Sequence, residues 1–250
     1  MLFSVITVSY NSVATIRSAV DSVLAQTGVE LDYIVIDGAS QDGTVDLLRG
    51  YGPRIQQLVS EPDGGIYDAM NKGVARARGE VVGILNSDDF YADSEVLSAV
   101  AAAFEDPSVD CVYGDLDYVD AVQTDQVVRA WRSQAYQAGA FGRGWHPAHP
   151  SFFVRRAVYE RLGDFDTQLP IAADYEFMLR VLERAQLKSV HIPQVLVKMR
   201  TGGASNASLK NIAQANLQCW KAWRQNGLGL SPLPVIRKPF SKLKQLRTEG

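Results

Sequence analysis

The chain has 250 residues, 46% of them hydrophobic and 21% charged, enough to bury one large core or two modest ones. Its net charge of −3 speaks against a general nucleic-acid binder. No apolar run approaches the roughly 18 residues of a membrane span, and the opening MLFSVITVSYN has neither the basic region nor the cleavage site of a secretory signal, so the expected location is the cytoplasm.

FSVITVSYN, from residue 3, predicts a strand in which β-branched residues run into Tyr10 and Asn11. A helix follows, with Ser12 as its cap, Val13, Ile16, Val20, Val23 and Leu24 at helical spacing, and Thr27 and Gly28 closing it. LDYIVIDG is a second strand, unbroken in its apolar residues and therefore covered on both faces, and it ends in Asp37. After the turn ASQDGT, Thr44 caps a short helix, IQQLVSE makes a third strand, DGGIYDAMNKGVARARG a helix ended by Gly79, and EVVGIL a fourth strand. Such alternation implies parallel crossovers and a sheet coated with helices. Ligands collect at the carboxyl ends of such strands, so Asn11, Asp37, Glu61 and the pair Asp88 and Asp89 should line one crevice.

Beyond about residue 106 the rhythm changes. VDCVYGDLDYV and QVVRAWR read as strands with no helix between them, and AYQAGAFGRGWHPAHP as a loop before SFFVRR. Helices over 156–162 and 173–185, the strand SVHIPQVLVKMR and a last helix over 208–226 complete the chain. No clean linker separates this part, which supplements the first sheet. Cys111 and Cys219 lack metal or disulfide spacing and read as buried thiols.

Two ionised carboxylates about 5 Å apart repel by about 3 kcal/mol at an effective dielectric of about 20, so Asp88 and Asp89 call for a cation. A turn beginning at Asn86 can bring one to a divalent ion and leave the other for a ligand hydroxyl. With no Cys or His pair nearby in sequence, the hard ions Mg2+ or Mn2+ suit the site better than zinc, a diphosphate completing the coordination. The competing reading, a cap for the helix near Ser94, is better filled by Asp93 or Ser94. Asp37 is placed either to accept hydrogen bonds from a nucleobase or to shape the turn DGAS, and Asn11 either to meet a ligand or to cap a helix. Asp63 lies on a turn, while Asn71 and Lys72, on a helix, can reach a ribose or phosphate; a solvated helix charge is the other reading of Lys72.

VITVSYN, YIVIDGASQDGT, EPDGGIYDAMNKG, GILNSDDFY and IAADYEFMLR, in this order, resemble the family 2 glycosyltransferases over roughly residues 3 to 200, especially bacterial members that build O-antigen, capsule or exopolysaccharide. The resemblance implies the GT-A fold: a Rossmann-like, mostly parallel central sheet flanked by helices, with a second small sheet and a C-terminal helix. It implies a catalytic domain over 1–205, with a nucleotide-sugar-binding half (1–106) and an acceptor-side half (107–205), followed by a helix and basic tail (206–250). Thr7, Tyr10 and Asn11 would surround the base, with Asp37 on its edge; in the DXD-type motif NSDD, Asp88 would face ribose or sugar and Asp89 the metal, Mn2+ or Mg2+. Asp174, in ADYE, matches the catalytic base, although Ala173 stands where Glu is commoner. The activity implied is inverting transfer of a sugar from a nucleoside diphosphate, with UDP-sugars foremost, to a hydroxyl of a glycan or polyprenyl-linked saccharide acceptor. From the residues alone, Asp174 also reads as a helix N-terminal acid beside Glu176.

On the acceptor side, Trp145, His146 and His149 lie on a loop suited to stacking on sugars and bonding hydroxyls, or to packing. Glu176 is assigned there too. Lys198 and Arg200 precede the Gly-rich TGGAS and offer cations to a diphosphate while that loop closes over it. Arg237, Lys238, Lys242, Lys244 and Arg247, with no acid among them, suggest peripheral contact with an anionic membrane or a solvated tail. Two other functions compete: a nucleotide-binding partner without transfer activity, and a metal-dependent phosphohydrolase, which would want its carboxylate pair at the first strand. No G-x-G-x-x-G follows that strand and no GK[ST] occurs, which disfavours a dehydrogenase and a P-loop NTPase.

Overall fold

Strand β1 (Leu2–Ser9) is buried from Phe3 onward and lies between two parallel neighbours, β2 (Glu30–Asp37) and β4 (Val81–Asn86). A computed structural model of the protein describes residues 1–202 and 209–229. The fourth parallel strand, β3 (Gln57–Ser60), pairs with β2. Helices α1 (Ile16–Leu24), α2 (Thr44–Arg49) and α3 (Ile66–Val74) supply the crossovers. Register fixes what meets at the carboxyl ends: Ser9 lies opposite Asp37, Asp37 opposite Ser60, and Val8 opposite Asn86.

Helix ends differ from expectation, and long-range partners explain why. The Ser12 hydroxyl reaches Ser87 Oγ at 2.8 Å instead of capping α1, which begins after Thr15. Thr44 is itself held by Asp42, whose Oδ1 accepts from the Thr44 backbone at 3.0 Å. Helix α3 stops at Val74, short of Gly79, because the N–H groups of Arg78 and Gly79 turn to the amino end of β1 to donate to Ser4 Oγ, and Arg78 also pairs with buried Asp32.

Strand β5 (Asp89–Tyr91) follows β4 after a two-residue turn. Then come α4 (Val96–Ala103), β6 (Cys111–Val119), β7 (Val127–Trp131), β8 (Phe152–Arg155), α5 (Arg156–Leu162), α6 (Ala173–Leu179), β9 (Ser189–Arg200) and α7 (Leu209–Gln225). The small second group of strands is joined to the first by β8, giving the order β3-β2-β1-β4-β8-β6-β9-β5 with β7 on β6. Strand β5 is four steps from β4 along this order, about 19 Å in a flat sheet, yet Asn86 and Asp89 are linked by three peptide units that span about 10 Å at most. The sheet must therefore curl, bringing its far end back beside the carboxyl end of β4.

Both faces are covered. One core gathers Ile6, Ile34, Ile84 and Tyr113 with α3, α5, α6 and α7; the other gathers Phe3, Val5, Tyr33 and Leu116 with α1, α2 and α4. Helix α3 approaches β1 so closely that a Cβ on Gly73 would collide with the Ile6 side chain. Gly73→Ala should cost about 1–3 kcal/mol from overpacking, read as a lower urea midpoint with an unchanged slope.

Candidate active site

At the carboxyl ends of β1, β2 and β3, the buried Asp37 carboxylate accepts from Ser9 Oγ (3.0 Å), Ser60 Oγ (2.8 Å) and both the N–H and hydroxyl of Ser40. These donors make Asp37 the fixed post around which the 38–41 turn is built. Asn11, in the left-handed region at φ 47°, joins the same turn: its N–H donates to Ser40 Oγ at 2.7 Å and its Oδ1 accepts from Gln41 N at 2.9 Å. Tyr10 is 67% exposed. A Cβ at Gly38 would stand 2.6 Å from Asp63 Oδ2 and 3.3 Å from the Tyr10 ring, so an aromatic face and a carboxylate flank one bare stretch of backbone. Thr7 is sealed in the interior with its hydroxyl 3.0 Å from Tyr33 OH, away from this corner.

Lys72 fixes the turn that carries Asp63. Its ammonium meets Glu61 at 3.1 Å, Asp68 at 3.4 Å and the Pro62 carbonyl at 3.0 Å, while Asp63 Oδ1 accepts from Gly65 N. Asn71 engages both ends of its amide with the Phe165 backbone, at 2.9 and 3.0 Å. It thus acts on the loop that leads into α6 and not on open space.

Asp88 and Asp89 follow β4 at the turn. The Asp88 carbonyl accepts from Arg200 Nη1 at 2.6 Å, and the same guanidinium donates to Ser18 Oγ at 2.9 Å and lies over Phe90, so Arg200 braces the turn. Asp89 is fully buried. Its Oδ2 accepts from Asn86 Nδ2 at 3.1 Å, but neither Asp89 Oδ1 nor Asn86 Oδ1 has a partner among the described residues. Burial first, and the charge of Asp88 second, push the Asp89 carboxyl well above the usual carboxylate range. Two orphaned oxygens on a carboxylate and an amide are hard donors of the kind Mg2+ and Mn2+ accept. Among the described residues no cluster of three or more His, Cys, Asp or Glu side chains is built to hold a metal, so Asp88 and Asp89 fit such an ion only if the remaining ligands come from elsewhere.

Asp174 opens α6, half-buried, and its Oδ1 accepts from Tyr67 OH at 2.9 Å. Burial and the neighbouring carboxylate both push the Tyr67 phenol up, so it stays a proton donor to Asp174. His149 is buried edge-on against Phe165, and burial lowers its pKa against the opposing pull of the Asp174 charge, which keeps the imidazole neutral near pH 7. Glu176 is two residues on, about 200° around the helix. It is buried there in an ion pair with Arg180 at 2.8 Å and accepts from Asn226 at 2.9 Å, while Arg180 also ties down the carbonyls of Leu162, Gly163 and Asp164. Glu176 holds α6 to its neighbours and does not face the cleft.

The small strands and the loop before β8 carry a cluster of aromatic rings. Tyr118 of β6 stacks on Trp131 of β7, Trp131 meets His146 edge-on at 5.3 Å, and His146 meets Tyr175 at 5.4 Å. Trp145 packs on Tyr113 and Phe141, with its buried Nε1 unpartnered among the described residues. Burial raises the Tyr118 phenol, the Arg129 cation lowers it, and the charges of Asp89 and Asp174 raise it again, so Tyr118 lies within electrostatic reach of both acids. Lys198 is half-buried on β9 between Phe90 and Asp117 in register.

Residues 4–163 match the profile of glycosyl transferase family 2. The chain belongs to that family. Relatives of this glycosyltransferase include an uncharacterized glycosyltransferase of Mycobacterium tuberculosis, 36% identical over 180 residues, covering 71% of this chain and 67% of that one. Another M. tuberculosis relative is a PGL/p-HBAD biosynthesis glycosyltransferase, 29% identical over 217 residues, covering 82% and 79%. Among solved structures, S. aureus TarS 1-349 in complex with UDP superposes with a TM-score of 0.66 at 18% identity, covering 97% of this chain and 71% of that one. The mannosyltransferase PcManGT from Pyrobaculum calidifontis, in complex with GDP-Man and Mn2+, gives 0.66 at 22% identity, covering 95% and 67%. These likenesses establish the GT-A fold. The chain spans 44% of the longer TarS chain.

In this glycosyltransferase, residues that the sequence alone does not single out contact the candidate site residues or one another: Ser40 and Ser60 hydrogen-bond Asp37, Tyr67 hydrogen-bonds Asp174, and Tyr118, Arg129 and Trp131 stack together on the hairpin. Tyr67 lay inside the quoted EPDGGIYDAMNKG and was open to notice. Tyr118 and Arg129 become neighbours only through the register of β6 against β7. The TGGAS loop beyond Gly202 and the basic residues 237–247 lie outside the described residues. Among those described, no helix is long and apolar enough to cross a membrane.

Proposed function

We propose that this glycosyltransferase moves a sugar, with inversion, from a nucleoside diphosphate donor, a UDP-sugar first of all, to a hydroxyl of a glycan or polyprenyl-linked acceptor in the synthesis of a cell-surface polysaccharide. The observation that carries the reading is one half-buried carboxylate, Asp174, whose Oδ1 accepts from Tyr67 OH at 2.9 Å. With Oδ1 engaged by Tyr67, Asp174 offers Oδ2 to the acceptor hydroxyl and takes its proton as that oxygen attacks the anomeric carbon. A single base is what direct displacement needs, since no protein nucleophile intervenes. Tyr10 offers a stacking face for the base, Asp63 an acceptor for its N–H or for a ribose hydroxyl, and Asp37 holds the turn between them. Asp89 would hold Mn2+ or Mg2+, with Asp88 facing ribose or sugar; the ion would supply charge stabilisation to the departing diphosphate when bound. The UDP, UDP-GlcNAc and GDP-Man complexes of the solved neighbours support a nucleotide-sugar donor, and the Mn2+ in one of them supports a divalent ion.

Thermal denaturation with UDP or GDP tests the donor site. With Mn2+ and nucleotide at about 100 times Kd, stabilisation should be about 2.7 kcal/mol, and it should shrink on chelation. No stabilisation by any nucleoside diphosphate, with either ion, would remove the donor-site assignment.

A further inference from the structure

Arg129 stands apart from the other arginines of the small strands. Arg132 pairs with Asp117 at 2.6 Å and Arg200 braces the Asp88 turn, whereas Arg129 has no carboxylate within ion-pair distance among the described residues. The acids of β6 are taken: Asp117 by Arg132, and Asp115 by His191 at 3.0 Å and the Ser133 N–H at 2.8 Å. The Arg129 guanidinium lies over the Tyr118 ring at 3.8 Å and near Trp131 at 5.8 Å, and its buried Nε–H has no acceptor among the described residues. A buried donor left unmet is costly, so the pose is one that a ligand would complete. Stacking consumes the faces of a guanidinium, and part of the in-plane edge of Arg129 is within hydrogen-bond reach of the Tyr118 phenol; its Nε–H is left for an oxyanion.

Register places this N–H relative to the cleft. Asp89 pairs with Met199, Met199 with Tyr118, and Tyr118 with Arg129, a single row across β5, β9, β6 and β7. Directly opposed residues project to one side of a sheet, and three strand spacings amount to about 14 Å between backbones, shortened by the reach of Arg129 back over Tyr118. The charges of Asp89 and Asp174 both act on the Tyr118 phenol.

We propose that Arg129, laid on Tyr118, binds a phosphate oxyanion of a substrate at the acceptor-side rim of the cleft. The inference rests on the transfer reading above, and the phosphate has two sources: the diphosphate of the donor, or a phosphate carried by the acceptor.

Calorimetry on the full chain, wild type against Arg129→Ala and Arg129→Lys, separates them. If the donor supplies the phosphate, Arg129→Ala should weaken UDP binding in Mn2+ by 10-fold or more and leave uridine unchanged. If the acceptor does, UDP affinity stays, while inorganic phosphate titrated into UDP-saturated protein binds wild type and not Arg129→Ala. Arg129→Lys keeps the charge without the Nε–H and should fall between; it decides the matter should the alanine variant not fold. UDP and phosphate binding equal to wild type in a folded variant would overturn the proposal. Should wild type bind neither UDP nor GDP, the transfer reading fails, and phosphate titrated into wild type and variant without nucleotide then decides the anion site by itself.

Discussion

Asp174→Asn should leave UDP affinity at the wild-type value while turnover falls by about 10²- to 10⁴-fold, the usual worth of general base catalysis. The substitution preserves shape, and the amide oxygen still accepts from Tyr67 OH, so the helix entrance keeps its geometry. What is lost is a lone pair able to take a proton. The fall should appear in kcat and kcat/KM together, the pattern of an interaction made in the transition state. The loss of a negative charge from the first turn of a helix costs about 0.3–1 kcal/mol, too little to unfold the chain, so a melting curve separates the two effects. Undiminished turnover would place the base elsewhere, and a chain that binds nucleotide yet never turns over in wild-type form would be a binding partner and not an enzyme.

The first half of the fold was legible because β1, β2 and β4 are covered on both faces, and strands of that kind write themselves as unbroken apolar runs. Their carboxyl ends then located Asp37 and the Asp88 and Asp89 turn without further information. Strand β5 was not legible: three residues, Asp89 to Tyr91, are too few for any period, and they are a strand only because β9 pairs with them. Helix caps failed for a related reason. Ser12 and Thr44 are good capping residues by type, but Ser87, 75 positions away, and Asp42 claim their hydroxyls.

Polar side chains facing inward were equally hidden. Glu176 reads with Asp174 as an acid of a helix N-terminus, yet helical geometry sends residues two apart to opposite sides, and Arg180 meets Glu176 there. Asn71 sits in a motif that suggests a ligand contact, while its amide is matched to the Phe165 backbone 94 positions later. Contacts of that kind follow from the curl of the sheet and the placement of the 163–172 loop, neither of which a single strand's sequence encodes.

Asp89→Asn should make the metal-free protein more stable and the enzyme far less active. The carboxyl is fully buried with one oxygen unpartnered among the described residues, and burial with the Asp88 charge raises its folded pKa. In the unfolded chain it ionises in the ordinary carboxylate range. Between that range and the raised folded value the unfolded state binds fewer protons than the native one, so stability falls as pH rises through the window. A neutral amide removes this dependence and still offers an oxygen to Asn86 Nδ2, so the variant should melt higher than wild type at pH 7 without metal. Each ~1 kcal/mol relieved corresponds to about 2–4 °C for a chain of this size. With Mn2+ and UDP the order should reverse, because only wild type brings a full negative charge to the ion. A variant that gained no stability in EDTA, or bound UDP with Mn2+ as tightly as wild type, would show that Asp89 is a structural acid whose charge is met from within the fold.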